Sequence, residues 1–257
     1  MKVLFTSDLH GLIEAYERFA VLLKTWSYDI GIISGDLTTG FRPEEFESIR
    51  QKEGISQDDL LEELHSPRDK LPITPNRLLV TAYRQKEKEY KSILLAPGKP
   101  VLFIMGNDDG IIAEEWKDEG LVQNINQKRV EYGETSFVGY QYTNPFVGGL
   151  FEKTEKEQRS DMKQLGRIVD SGTILVTHGP AYGLYDRSWG VSEQEVSVGS
   201  KALRRLIDKT RPRLHLYGHL HGHFGINGRE INGAYPKERK FISIDLASAE
   251  VEITEIA

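Results

Sequence analysis

The chain of 257 residues contains no cysteine. That excludes disulfide cross-links, thiolate zinc sites and a cysteine nucleophile. No apolar run is long enough to span a bilayer. Lys2 is followed only by Val3-Leu4-Phe5 before Thr6-Ser7-Asp8, which is too short for a signal-peptide core, so the expected location is the cytoplasm. Basic charge is not in excess either. Lys and Arg total 33 against 39 Asp and Glu, a net charge of -6, which argues against extended binding to nucleic acid or to anionic membranes. Internal repeats and low-complexity linkers are missing as well. What is present, 39% hydrophobic and 28% charged residues, is ordinary for a globular protein, and the length suits one large domain with an elaboration.

Taken in order, Lys2 to Ser7 reads as a buried strand ending at Asp8-Leu9-His10-Gly11. Leu12, Tyr16, Phe19, Ala20, Leu23 and Trp26 mark one face of a following helix. Asp29 to Ser34 is the next strand and stops at Gly35-Asp36. Strand, helix, strand is a βαβ unit, which puts both acidic ends on one edge of a parallel sheet. From about 39 to 96 the pattern turns charged and helix-favouring: Pro43 to Lys52, Ser56 to Leu64, where Ser56 and Asp59 have capping-box spacing, and Pro75 to Leu95. This stretch predicts a helical insertion or cap within a single domain over 1–257, and its charged helices suit a solvated face.

Lys99 to Met105 restores the strand pattern and ends at Gly106-Asn107-Asp108-Asp109-Gly110. Ile111 to Glu119 predicts a short helix, Arg129 to Tyr132 with Ser136 to Tyr140 a hairpin, and Phe151 to Val169 a charged helix. Thr173 to Thr177 is a strand ending at His178-Gly179-Pro180. Ser200 to Lys209 is helical, and a strand from Pro212 leads into Gly218-His219-Leu220-His221-Gly222. Lys240 to Leu246 and Ala249 to Ile256 alternate as two closing antiparallel strands.

Five strands thus end in polar clusters, carrying Asp8 and His10, Asp36, Asn107 and Asp108, His178, and His219 and His221. The crevice of an open α/β sheet lies at the carboxyl ends of its strands. Singly, each residue is ordinary: Asp8 or Asp36 suits a helix cap or turn, Asn107 a turn, and a lone His a loop. Together, two carboxylates and four imidazoles in one crevice are expensive without cations. Mixed oxygen and nitrogen donors suit manganese, iron or zinc. With the Asn107 carboxamide these make seven donors, which exceed one tetrahedral ion and suit two ions sharing a carboxylate. His215 and His223 fall outside this pattern and read as structural or supporting residues, and His65 as a surface residue of the insertion.

The order Asp-x-His, Gly-Asp, Gly-Asn-x-Asp, His and Gly-His-x-His resembles that of the calcineurin-like binuclear metallophosphoesterases. The resemblance implies an α/β (α+β) fold: two packed mixed β-sheets flanked by helices, a four-layer sandwich, with the insertion added. It implies two divalent ions, manganese favoured and iron or zinc possible. Asp8, His10 and His221 would hold the first, Asp36 would bridge, and Asn107, His178 and His219 would hold the second. Asp108, Asn107 and His178 would be the catalytic groups around a metal-bridging hydroxide that attacks phosphorus. The segments Thr177 to Gly183, Val198-Gly199-Ser200 and Arg211 to His215 resemble the metallophosphoesterase-domain-containing branch, described as phosphodiesterases acting on cyclic nucleotides. The expected substrate is therefore a small phosphodiester. A phosphomonoesterase or protein phosphatase using another acid, and a metal-binding interaction module without turnover, are the alternatives.

The sequence departs from the family pattern at Asp108, where histidine usually follows Gly-Asn. An ionised Asp108 cannot donate a proton and repels phosphate oxygens, whereas an Asp108 kept protonated by burial or by the metals would act as the acid instead. Two divalent ions with Asp8, Asp36 and a hydroxide sum to a formal charge of about +1, and Asp108 lowers this to about 0. A phosphomonoester dianion loses more from that change than a diester monoanion.

Overall fold

The computed structural model describes residues 1–38, 77–109, 116–146, 149–183, 185–189 and 195–254. The expected helices at 43–52 and 56–64, the capping box and His65 lie outside these residues. Two six-stranded sheets carry the fold. The first is built from β1 (Lys2–Thr6), β2 (Ile30–Ser34), β3 (Val101–Ile104), β4 (Val122–Asn124), β13 (Phe241–Asp245) and β14 (Glu250–Thr254), in the order β14-β13-β1-β2-β3-β4. β1 to β4 are parallel, while β13 and β14 close the edge in antiparallel register. The strands of the second are β5 (Arg129–Tyr132), β6 (Thr135–Tyr140), β7 (Thr173–Thr177), β10 (Leu214–Tyr217), β11 (Gly225–Asn227) and β12 (Glu230–Asn232). Their order is β11-β12-β10-β7-β6-β5. Here β6, β7, β10 and β12 are parallel, and β5 and β11 are antiparallel edges. A separate ribbon pairs β8 (Arg187–Trp189) with β9 (Glu195–Ser197).

Strand periodicity explains the layering. Val3 and Phe5, Ile30 and Ile32, and Leu102 and Ile104 point from the first sheet into a core shared with Phe137, Ile174, Val176 and Leu216 of the second. The intervening Leu4, Ile33 and Phe103 point the other way, against helices α1 (Ile13–Thr25) and α2 (Arg77–Leu95). Val138, Tyr140 and Leu175 do the same on the far face of the second sheet, under α3 (Glu155–Leu165) and α4 (Lys201–Thr210). Strands apolar on both sides are what a helix–sheet–sheet–helix sandwich requires. The expected four layers of two mixed sheets and flanking helices are those observed. A one-turn helix, α5 (Tyr235–Glu238), precedes β13. Among the described residues no helix is long and apolar enough to cross a membrane.

Several boundaries differ from expectation. The helix expected over Phe151 to Val169 is only α3: Thr154 caps it with its side chain in a full capping box with Glu157, and Glu152 before it bridges to Thr143. The helix expected over Ile111 to Glu119 lies mostly outside the described residues. Its described end is not helical, since Glu119 bridges to Val122 instead. β4, β11 and β12 are added strands, each three residues long.

Candidate metal centre

The chain leaves β1, β2, β3, β7 and β10 at one edge of the sandwich, and every expected site residue lies in the turn that follows. The turns are cross-bonded. Asp8 N–H donates to Gly35 O (2.9 Å), His10 N–H to Asp36 O (2.8 Å) and Gly218 N–H to His178 O (3.0 Å). Asp8, His10, Asp36 and His219 all have φ between 48° and 68°. This left-handed conformation is uncommon without glycine and concentrates at functional sites, where surrounding contacts must hold it. Gly218 permits the closest approach: a Cβ there would collide with Ser7 Oγ and Asp8 Oδ2.

The side chains fall into groups whose ligand atoms lie within 4.8 Å of one another: Asp8, His10 and His221; Asp36, His178 and His219; and His10, Asp36 and Asp108. In the first, His10 Nε2 and His221 Nε2 face each other at 3.0 Å, and lie 4.0 and 3.3 Å from Asp8 Oδ1. The Asp8 carboxylate is held in place by the His219 backbone N–H, 2.9 Å from Oδ2. In the second, His178 donates from Nδ1 to Ser34 O at 2.9 Å, which turns Nε2 toward Asn107 Oδ1 (2.9 Å) and Asp36 Oδ1 (3.3 Å). Asp36 faces both groups, since its Oδ2 lies 3.8 Å from His10 Nε2. Asp108 is half-exposed at the rim. Its N–H donates to Asp36 Oδ1 (2.9 Å), Asn107 Nδ2 donates to its Oδ1 (2.9 Å), and its Oδ2 stands 3.7 Å from His10 Nδ1. All eight expected residues are therefore brought together.

The donor set fits divalent cations. Asp8, Asp36, Asn107 and His178 are buried, and with a neutral His178 the atoms converging on Nε2 are all acceptors. Acceptors packed in this way need a proton or a cation between them. Burial acts to lower the His178 pKa, but Asp36 outweighs it and pushes it up to about 10. His219 is pushed down to about 4, by desolvation first and by His178 second. Burial acts to raise Asp8 and Asp36; hydrogen bonds and charge from His221, His178 and His10 outweigh it, and both carboxyls titrate below the ordinary range. Asp108 is raised, by burial and then by Asp36.

Other residues around the centre carry no expected role from the sequence. Asp109 is fully buried and ties two ligand turns together: Oδ1 accepts from Thr38 N–H (2.8 Å) and Oδ2 from Gly106 N–H (2.7 Å). Burial, then Asp36, raises its pKa to about 7. Three tyrosine hydroxyls donate to carbonyls of the same turns: Tyr16 to Leu37 O (2.8 Å), Tyr83 to Asp109 O (3.1 Å) and Tyr90 to Gly11 O (3.0 Å). A second carboxylate in the Asn107-Asp108-Asp109 run, and the seven-residue spacing of Tyr83 and Tyr90 on one helix face, were the available signals. His215 is buried behind the centre, 2.8 Å from Thr177 Oγ1 and 3.4 Å from Glu230 Oε2. His223 stacks on Tyr185 with ring centroids 5.7 Å apart.

With this fold and this cluster of aspartates and histidines at its strand ends, the chain belongs to the calcineurin-like phosphoesterase family, which it matches over residues 1–223. Members are hydrolases of phosphoesters that use divalent metals, and the His and Asp groups described above are able to hold such ions. Compared with curated proteins, the sequence finds no significant match. Solved structures share the fold. TT1561 of Thermus thermophilus aligns over 100% of this chain and 99% of its own, at 16% identity and a TM-score of 0.61. A dimetal phosphatase from Danio rerio, LOC 393393, aligns over 95% of this chain and 91% of its own, at 7% identity and a TM-score of 0.55.

Proposed function

We propose that the protein is a binuclear metal-dependent phosphodiesterase acting on a small phosphodiester. The observation that carries this reading is the disposition of Asp36, with Oδ1 toward His178 and Oδ2 toward His10, so that one carboxylate serves two ligand groups. Asp8, His10 and His221 would hold one ion, Asn107, His178 and His219 the other, and Asp36 both. The mixed oxygen and nitrogen set suits manganese, iron or zinc, and manganese is the ion we favour. Bound ions would supply an activated water and stabilise charge on the attacking and leaving oxygens.

The chain's own residues do the positioning. The Ser34 carbonyl fixes the His178 tautomer, which keeps Nε2 free as a ligand atom. The His219 N–H fixes Asp8. The oxygen of water attacks phosphorus, one P–O ester bond breaks, and the departing oxygen takes a proton. Asp108 supports the preference for diesters. It stands at the rim within 3.7 Å of His10, where a carboxylate opposes the second charge of a monoester dianion more than the single charge of a diester. Metal-dependent turnover of bis(p-nitrophenyl) phosphate above that of p-nitrophenyl phosphate, abolished by chelation and restored by manganese, is the expected result. Undiminished turnover in a verified metal-free sample ends the reading.

A further inference from the structure

After β6, residues 141–146 and 149–153 lie beside the half of the centre formed by Asn107, His178 and His219. Thr143 pairs with the chain near Glu152: its N–H donates to Phe151 O (3.0 Å), and Lys153 N–H donates to Thr143 O (2.9 Å). Asn144 is tied on both sides of its amide. Nδ2 donates to Val198 O and Gly199 O (3.1 Å each), and Oδ1 accepts from Gln158 Nε2 (2.8 Å). Phe146 N–H donates to Glu152 Oε2 at 2.9 Å. At the other arm, the loop lies so close to the centre that a Cβ on Gly149 would stand 2.6 Å from Asn107 O.

This anchored loop sets the Phe146 ring edge-to-face on the His219 imidazole, with centroids 4.9 Å apart, and leaves 46% of the residue exposed. Leu150, beside Gly149, is 51% exposed. Single exposed apolar residues are common on any surface. Here, however, both lie at the border of a polar centre, and one of them sets an exposed aromatic ring against a ligand residue. That ring is within the surroundings of any phosphoester substituent that extends past His219.

We infer that Phe146 is a specificity-determining residue that takes a flat aromatic group, an aryl ring or a nucleobase, carried by the phosphoester. The inference rests on the phosphoesterase reading and deepens it by naming the chemistry of the substituent. Stacking is sequence-tolerant and of substantial strength for aryl rings and bases alike.

The test uses the manganese-loaded protein and non-hydrolysed ligands, titrated calorimetrically. Phenylphosphonate against methylphosphonate isolates an aryl ring, and the 5′-methylenephosphonate analogue of adenosine 5′-monophosphate against that of ribose 5-phosphate isolates a base. The quantity read is the affinity ratio within each pair. The wild type is expected to favour the aromatic member, and Phe146→Ala to reduce that ratio by about 10-fold, with Phe146→Tyr restoring it. The pair with the larger wild-type ratio identifies the source of the ring. A wild type that binds methylphosphonate only with manganese but shows no aromatic preference overturns the inference and leaves the phosphoesterase reading standing. So does a Phe146→Ala variant in which both members weaken equally, which would make Phe146 a shield for His219. Absence of manganese-dependent binding by all of these ligands overturns the inference, and overturns the phosphoesterase reading as well if bis(p-nitrophenyl) phosphate is not turned over in the presence of manganese.

Discussion

Asp108 sits between the two halves of the centre, bonded to Asp36 through its N–H and to Asn107 through its carboxylate. Asp108→His would remove a negative charge and install a group able to protonate the departing oxygen, an effect typically worth about 10²–10⁴-fold when the geometry is right. Hydrolysis of monoesters is expected to rise relative to diesters, most for alkyl phosphates and least for p-nitrophenyl phosphate, whose leaving group needs no acid. Asp108→Asn is the control. An equal gain with Asn makes charge repulsion the whole effect, and loss of diester turnover in both variants with metal still bound makes Asp108 itself catalytic. At this scale the site was largely legible, because Asp, Asn and His are recognisable donors and each follows an apolar strand. Asp109 was legible as the last residue of the Gly-Asn-x-Asp motif but not its role, because its contacts are to backbone N–H groups of Thr38 and Gly106, and sequence does not display such partners. Phe146 was invisible for a similar reason: its neighbour His219 is 73 positions away.

Helix α2 meets the turns of the centre through two tyrosines. Tyr83 and Tyr90, two turns apart, hydrogen-bond the turns that carry Asp109 and Gly11, and Tyr90 stacks flat on Tyr16 with ring centroids 4.5 Å apart. Phenylalanine preserves the stacking and deletes only the hydroxyl. Each of Tyr83→Phe and Tyr90→Phe is expected to cost about 1–2 kcal/mol of stability by leaving a buried carbonyl short of a donor. Both should also weaken manganese binding, because the ligand turns lose a support; equilibrium unfolding and metal titration measure the two effects. Unchanged manganese affinity in the double variant would make α2 a packing element alone. Long elements such as α1, α2 and the strands β1, β2, β3 and β7 were readable from periodicity. The three-residue strands β4, β8, β9, β11 and β12 were not, since three residues hold no period. Their partners define them, as when β12 lines up beside β10 with His215 opposite Glu230.

Across the whole molecule, the second sheet is locked by a polar network beneath the centre. Arg204 grips Glu230 with two nitrogens, at 2.7 and 2.9 Å, and Glu230 faces His215, which meets Thr177 next to His178. Burial acts to raise Glu230, but His215 and Arg204 overcome it and hold the carboxyl down at about 2. A carboxyl depressed on folding stabilises above its unfolded pKa of about 4.5 and loses that contribution as pH falls toward the folded value. Acid unfolding should therefore show a loss on the order of 2 kcal/mol over that window that Glu230→Gln lacks. An identical acid profile in the variant would remove Glu230 from the account. The central claim, that one carboxylate joins two ions, is tested most directly by counting manganese per chain in the wild type, in Asp36→Ala and in His10→Ala. Two ions in the wild type, with greater loss from Asp36→Ala than from His10→Ala, is the predicted result. A wild type that holds a single ion, or an Asp36→Ala variant that keeps two, would contradict it.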